Sequence, residues 1–258
     1  MPSNARSILS EGILLMEMGH YSLADFFLRS AIRADSTLDD AWYYRGLSFA
    51  EQDEPDAADS CFRRTLALNA VHGPAMFMRG QLRLNRGDIG GAMSDFSELA
   101  YLYPTLPDGY QGRAWVFERL GEMDKAVSDW GLAIDRERRN PSLYEERGMA
   151  YLRIAMPESA AGDFSRALRI DPYRPRSFAG RGEAWRLLGL FSLSLADCDS
   201  ALILDESNEE AWLTRARSAD SCGRFEEAVT SYRKFLDLVP DADPDVAEAK
   251  ERLRLLGH

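Results

Sequence analysis

Nucleophilic, acid–base or metal chemistry in this chain would have to come from three Cys and three His: Cys61, Cys198, Cys222, His20, His72 and His258. A thiolate nucleophile needs a base or a cation beside it, and a structural zinc needs ligands in short paired spacings. No His stands at such a spacing from a Cys, and neither a His-x-x-x-His pair, a nucleophile elbow nor a Walker loop occurs. Gly87-Asp88-Ile89-Gly90-Gly91 lacks the strand that a phosphate-binding loop would follow, and reads as a turn. The cysteines read as small packing residues. The sequence therefore predicts no catalytic residue, no metal, no cofactor and no enzyme.

What the residues do show is a period. Gly12, Gly46, Gly80, Ala114, Gly148, Gly182 and Ala216 stand 34 positions apart, and all are Gly or Ala. Ala24, Ala58, Ala92, Ala126, Ala160, Ser194 and Ala228 form a second series in the same phase. Large residues form a third, Ile8, Trp42, Met76, Tyr110, Tyr144, Phe178 and Trp212, and a fourth, Leu28, Phe62, Phe96, Trp130, Phe164, Cys198 and Tyr232. Four series locked in phase signal internal repetition. Counted from Ala5, the units are 5–38, 39–72, 73–106, 107–140, 141–174, 175–208 and 209–242, with an N-terminal tail at 1–4.

Each unit reads as two helices. Trp42, Arg45, Gly46 and Phe49 share one helical face, a break follows at Asp53–Pro55, and a second stripe runs through Ala58, Phe62, Thr65 and Leu66. Elsewhere the break is Gly19, Gly87, Gly121, Gly189 or Gly223, as suits a helix C-terminus. No segment alternates like a strand, so the chain is all-α. Gly or Ala at the eighth and twentieth positions lets two helices approach closely, and the residue at position 24 fills the space beside them. One hairpin cannot bury its apolar face alone, so neighbours must stack.

These residues resemble the tetratricopeptide repeat family, whose pattern is W-x2-L-G-x2-Y, then A-x3-F, then P. Trp42…Gly46…Phe49 with Ala58…Phe62, Ala92…Phe96…Pro104, Ala160…Phe164…Pro172 and Trp212…Ala216…Ala228…Tyr232…Pro240 carry the match. The resemblance implies an α-solenoid, a right-handed superhelix of seven 34-residue helix-turn-helix repeats with a concave groove lined by each first helix. It also implies protein or peptide binding without catalysis. Residues 243–258 read as a C-terminal capping helix, with Asp243 as its cap and Pro244 in its first turn. Val246, Ala249, Leu253 and Leu256 would cover the last repeat.

The chain departs from the family pattern at the seventh position, which holds Arg45, Arg79, Arg113, Arg147, Arg181 and Arg215. Position 23 is Asp95, Asp129, Asp163 and Asp197 in four of the same repeats. A planar guanidinium can take a carboxylate in both arms while its stem packs on rings. The phase predicts a ladder of partly buried inter-helix pairs; the other reading is an anion-binding row on the groove.

The family geometry puts first-helix positions 2, 5, 6, 9, 12 and 13 on the concave face. The groove residues it selects are Tyr43, Tyr44, Leu47, Phe77, Met78 and Trp115, followed by Arg119, Arg153, Arg186 and Arg217. The track is apolar first and charged later, and an apolar patch with a polar rim marks an interaction site. The alternative is that these residues pack into neighbouring hairpins. The Lys and Asn with which the family grips a C-terminal carboxylate are not at these positions.

The formal charge is −11, from 42 acids against 31 bases, which speaks against a nucleic-acid or anionic-membrane partner. No stretch approaches the ~18 apolar residues of a spanning helix. The only short apolar run near the start, Ile13–Met16, is no secretory signal. The expected address is cytoplasmic. The expected function is a scaffold or adaptor that binds a peptide or helix segment of another protein. The alternative is self-association through the apolar N-terminal groove.

Overall fold

The structure is a computed structural model that describes residues 2–257. Among the described residues all regular structure is α-helical, and the chain divides into two compact units after Leu120. The first holds α1 (Pro2–Glu17), α2 (Tyr21–Ala34), α3 (Asp39–Glu51), α4 (Pro55–Leu68), α5 (Gly73–Asn85), α6 (Ile89–Leu102) and α7 (Asp108–Arg119). The second holds α8 (Met123–Arg136), α9 (Pro141–Arg153), α10 (Pro157–Ile170), α11 (Pro175–Leu187), α12 (Phe191–Leu204), α13 (Glu209–Ser221), α14 (Phe225–Leu238) and α15 (Val246–Leu255). Within each unit every helix packs on the next, and first helices also meet, α5 on α7 and α11 on α9 and α13. Each unit is thus a solenoid-type stack of helix pairs.

The turns inside the pairs need a left-handed residue, and five of them supply Gly19, Gly87, Gly121, Gly189 and Gly223, with φ between 73° and 80°. Two do without glycine: Asp53 and Ala155 take φ of 58° and 55°. An L residue there sets its Cβ against the following carbonyl, at a cost of about 1–2 kcal/mol. Second helices then start on local devices. Pro55 and Pro157 occupy the first turn, and Asp88 caps α6 by accepting the Gly91 N–H at 2.9 Å. The Gly87–Gly91 segment is therefore a helix-to-helix turn.

Glycine also makes room for the rings. A Cβ on Gly46 would lie 2.6 Å from the Phe62 ring, and one on Gly80 would lie 2.7 Å from that of Phe96. The rings of Phe96 and Phe164 are met as well by Gly112 and Gly180, the sixth residues of the following repeats, where a Cβ would overlap the ring. Phe62, Phe96 and Phe164 are fully buried as a result. Each such ring contributes roughly 2–3 kcal/mol by leaving water.

The ladder forms, with two deviations. Arg79–Asp95, Arg147–Asp163 and Arg181–Asp197 are two-armed pairs inside one repeat, with N···O distances of 2.6–3.0 Å. Where position 23 is not Asp, the guanidinium reaches into the preceding hairpin. Arg45 donates to Asp25, and Arg215 to Asp199, each at 2.7 Å. Arg215 also donates to Ser231 Oγ at 2.8 Å, the residue standing where the Asp would be.

Both termini differ from the sequence expectation. α1 begins at Pro2, so residues 2–4 continue the helix rather than forming a tail; Met1 and His258 lie outside the described residues. α15 begins at Val246, not after Asp243. Asp243 Oδ1 accepts from the Asp245 N–H at 2.9 Å, a two-residue turn that delays the helix past Pro244. Val246, Ala249 and Leu253 of α15 are buried against Tyr232 and Phe235, with Leu256 packed beside them.

Candidate functional site

α3, α5 and α7 line a cavity of about 780 Å3 in the first unit. Its apolar walls include Ala50, Met78, Leu82 and Trp115. Its polar lining is Asp53, Gln81, Asn85, Arg86, Glu118 and Arg119. Gln81 and Arg119 stand at positions nine and 13 of their repeats, on the track selected from the family geometry. Arg86 is held by Asp56 at 2.7 Å, but among the described residues no hydrogen bond or ion pair engages the side chains of Gln81, Asn85 or Arg119. A second cavity, about 280 Å3, adjoins it through Met78 and is lined by Tyr43, Pro74, Phe77, Leu99, Tyr103, Leu106 and Asp108. Tyr103 Oη donates to the Val71 carbonyl, which fixes that ring on the rim.

The predicted groove residues therefore separate. Tyr43, Phe77 and Met78 line the smaller cavity; Met78, Trp115 and Arg119 line the larger. Tyr44 packs on the core of the first hairpin and Leu47 on that around Phe62, and neither lines either of these two cavities. The aromatics are scaffold and lining at once. Phe77 stacks tilted on Trp115, with centroids 6.0 Å apart, and edge-on to Phe96 at 5.8 Å. Tyr43 lies 6.0 Å from Phe62. Tyr43, Phe77 and Trp115 are half-buried.

In the second unit the predicted cations are engaged by the chain itself. Arg186 makes a two-armed pair with Glu183 at 2.6 and 2.7 Å. Arg217 donates to Glu248 and Asp245, both at the start of α15. Arg153 is the exposed last residue of α9. The Glu248 carboxylate is held below the usual range, first by its hydrogen bond from Arg217. The opposite happens to Glu210, whose carboxyl is pushed up by burial and then by the charge of Glu183.

The sequence reading missed Gln81 and Asn85, although both sit on the same positional track, because it followed the apolar residues. It also missed Tyr103, Leu106 and Asp108, which come from the α6–α7 turn and the start of α7, where no periodic signal points inward.

Cys61, Cys198 and His72 have structural surroundings. Burial pushes the Cys61 thiol up to about 11 and that of Cys198 up to about 12, so neither is a thiolate near neutral pH. Asp39, Asp40 and His72 bring ligand atoms within 4.8 Å of one another. His72 Nδ1 accepts the Ala75 N–H at 3.1 Å, so its proton sits on Nε2, which faces Asp40 at 3.3 Å. That tautomer leaves no nitrogen lone pair toward the carboxylates, and the cluster is the N-terminal cap of α5.

Family models of the tetratricopeptide repeat match residues 45–107 and 209–241. Human tetratricopeptide repeat protein 7A is 38% identical over 69 residues, which is 27% of this chain and 8% of that protein. Its relative 7B is 33% identical over the same length. The match thus spans under a tenth of either human protein. Among solved structures, a chain of the APC/C hetero-tetramer Cut9–Hcn1 aligns over 100% of this chain and 49% of its own length, with TM-score 0.75 and 16% identity. A tetratricopeptide repeat protein from Parabacteroides merdae aligns over 99% and 100%, with TM-score 0.70 and 14% identity. At those identities the structures show a shared fold. No described helix is long and apolar enough to cross a membrane. Repeat phase, helix pairing and family matches agree: the chain carries tetratricopeptide repeats, matched over residues 45–107 and 209–241, and shares the fold of solved tetratricopeptide repeat structures.

Proposed function

We propose that this chain is a non-enzymatic scaffold or adaptor, and that the face built by α3, α5 and α7 takes a segment of a partner protein. Proteins of this family generally mediate protein–protein interactions. The observation that carries the reading is the pair of cavities meeting at Met78, walled by rings and edged by Gln81, Asn85 and Arg119, whose polar groups no part of the chain engages. Apolar walls with a few unspent polar groups are the composition of a recognition site. The seven-repeat division with a capping helix, and a cytoplasmic address, belong to the same proposal.

The test is a photo-crosslinking residue placed at Gln81 or Asn85 in the native cell, with the exposed Tyr101 and Tyr173 as controls. Adducts to another protein from the cavity positions alone support the reading. Adducts from none of the positions, or equally from the controls, would remove it.

Self-association is the second reading, and one observation favours it: Leu14, Met18, Leu23 and Phe26 of the first hairpin are exposed, Phe26 by 61%. Adducts to a second copy of the chain, or a mass by light scattering that rises with concentration, would move the function there.

A further inference from the structure

The two cavities of the first unit differ in charge as well as size. The smaller is apolar apart from Asp108, in the first turn of α7. The larger reaches Arg119, in the last turn of the same helix. Among the described residues no hydrogen bond or ion pair engages either side chain. Asp108 stands in the first turn of α7 and Arg119 in its last, each at the helix end whose dipole favours that sign of charge, so an acidic and a basic side chain mark the two ends of the face. The two residues are 11 positions apart, about 16 Å along a helix axis. Asp53, from the α3–α4 turn, and Glu118, beside Arg119 on α7, also line the larger cavity, as does Arg86, which Asp56 holds; of these Glu118 already has an interaction of its own.

We infer that this face reads a polarised segment of a partner protein. One bulky apolar residue fills the cavity under Phe77, Tyr103 and Leu106, with a basic residue beside it at Asp108. A second apolar residue enters the larger cavity beside Trp115, followed by an acidic residue that pairs with Arg119. The two charges stand about five residues apart if the segment is extended, or about 11 if it is helical. Opposite charges at the two ends admit one direction of the segment and reject the reverse, which sets like charges together. This inference rests on the groove reading above and adds the chemistry and orientation of its ligand.

The test uses a displayed library of random dodecapeptides selected against the whole chain, followed by synthetic copies of the enriched peptides. Enriched peptides should share two bulky apolar residues, with a base outside one and an acid outside the other. Arg119→Glu should weaken such a peptide about fivefold, as befits a solvent-accessible pair. Exchanging the peptide's acid for Lys should restore binding to that variant and weaken it to the wild type. Asp108→Lys should give the mirror result at the basic end. Thermal melting of both variants shows that they fold. If enriched peptides bind both variants as they bind the wild type, yet lose binding to Gln81→Trp, the groove reading stands and the polarity falls. If nothing is enriched, or enrichment survives Gln81→Trp, both fall.

Discussion

Gly112 on α7 gives its side-chain space to the ring of Phe96 on α6, which also packs closely on Gly80. The aromatic at position 24 is thus clamped by glycines of two successive repeats, which ties the spacing between hairpins to a single missing methyl. Gly112→Ala should cost about 1–3 kcal/mol, because the added Cβ must displace a fully buried ring. Gly162→Ala is the counterpart: Gly162 is exposed inside α10 with nothing within 4 Å of a built Cβ. That change should stabilise by about 0.5–1 kcal/mol through helix propensity and unfolded-state entropy. Denaturant melts of both variants decide. Equal effects would mean that the clamp at Phe96 carries no packing constraint.

Much of this was legible in the residues, because a strict period converts one reading into many. The eighth position announces close packing, since small residues recur there in every repeat. The sixth does not: Gly112 and Gly180 share that position with Ser10, Tyr44, Met78, Glu146 and Thr214, so their contact with the rings emerges only from the stacked hairpins. The ladder was legible where Arg and Asp share a repeat. It was illegible at Arg45 and Arg215, whose partners Asp25 and Asp199 lie in the preceding hairpin at two different positions. The site was half legible. Positional geometry selected Met78, Trp115 and Arg119, but the α6–α7 turn that closes the smaller cavity follows no repeat rule.

The pair Arg147–Asp163 tests the ladder. Both side chains are mostly buried, 22% and 10% exposed, and the carboxylate takes both arms of the guanidinium. Arg147→Met leaves Asp163 charged with its partner gone, and should cost about 2–3 kcal/mol, below the figure for a fully buried pair. Arg147→Met with Asp163→Leu should recover most of that. A single variant melting like the wild type would reduce the ladder to surface decoration.

Ala155 adopts a backbone that five equivalent turns give to glycine. Ala155→Gly should therefore stabilise by about 0.5–1 kcal/mol, relief of the left-handed strain outweighing the entropy that glycine adds to the unfolded chain. A lower melting temperature would show that the turn at 155 is not strained.

Rings at the fourth position bond backwards by six residues. Trp212 Nε1 donates to the Glu206 carbonyl at 2.9 Å and Tyr144 Oη to that of Arg138 at 3.2 Å. Trp42 has the same place, but its Nε1 is buried without a hydrogen-bond partner. An orphaned donor costs about 1–3 kcal/mol. Trp42→Phe should therefore be tolerated better than Trp212→Phe by about 1–2 kcal/mol, although both lose the same atoms. Equal costs in paired melts would contradict the assignment.

α15 closes the apolar face left by α13 and α14, and its docking should depend on pH. Val246, Ala249 and Leu253 are buried on that face, while Arg217 grips Glu248 and Asp245, and Arg252 takes Asp220 in both arms at 2.7 and 2.8 Å. Glu248 acquires its cation only when α15 docks, so its carboxyl titrates lower in the folded chain than in the unfolded one. The stabilisation is then complete above the ordinary glutamate value of about 4.3, and is lost as pH falls through the depressed folded value. Hydrogen-exchange protection in residues 209–242, taken against the intrinsic rate at each pH, should therefore fall on acidification below about pH 4, and less steeply in Glu248→Gln, which starts from weaker protection at neutral pH. A chain ending at residue 242 should show that weak protection at every pH, because Tyr232 and Phe235 lose their cover. Protection unchanged by the truncation would mean that the last hairpin holds without α15. Protection lost equally with acid in wild type and Glu248→Gln would assign the pH dependence to other carboxylates.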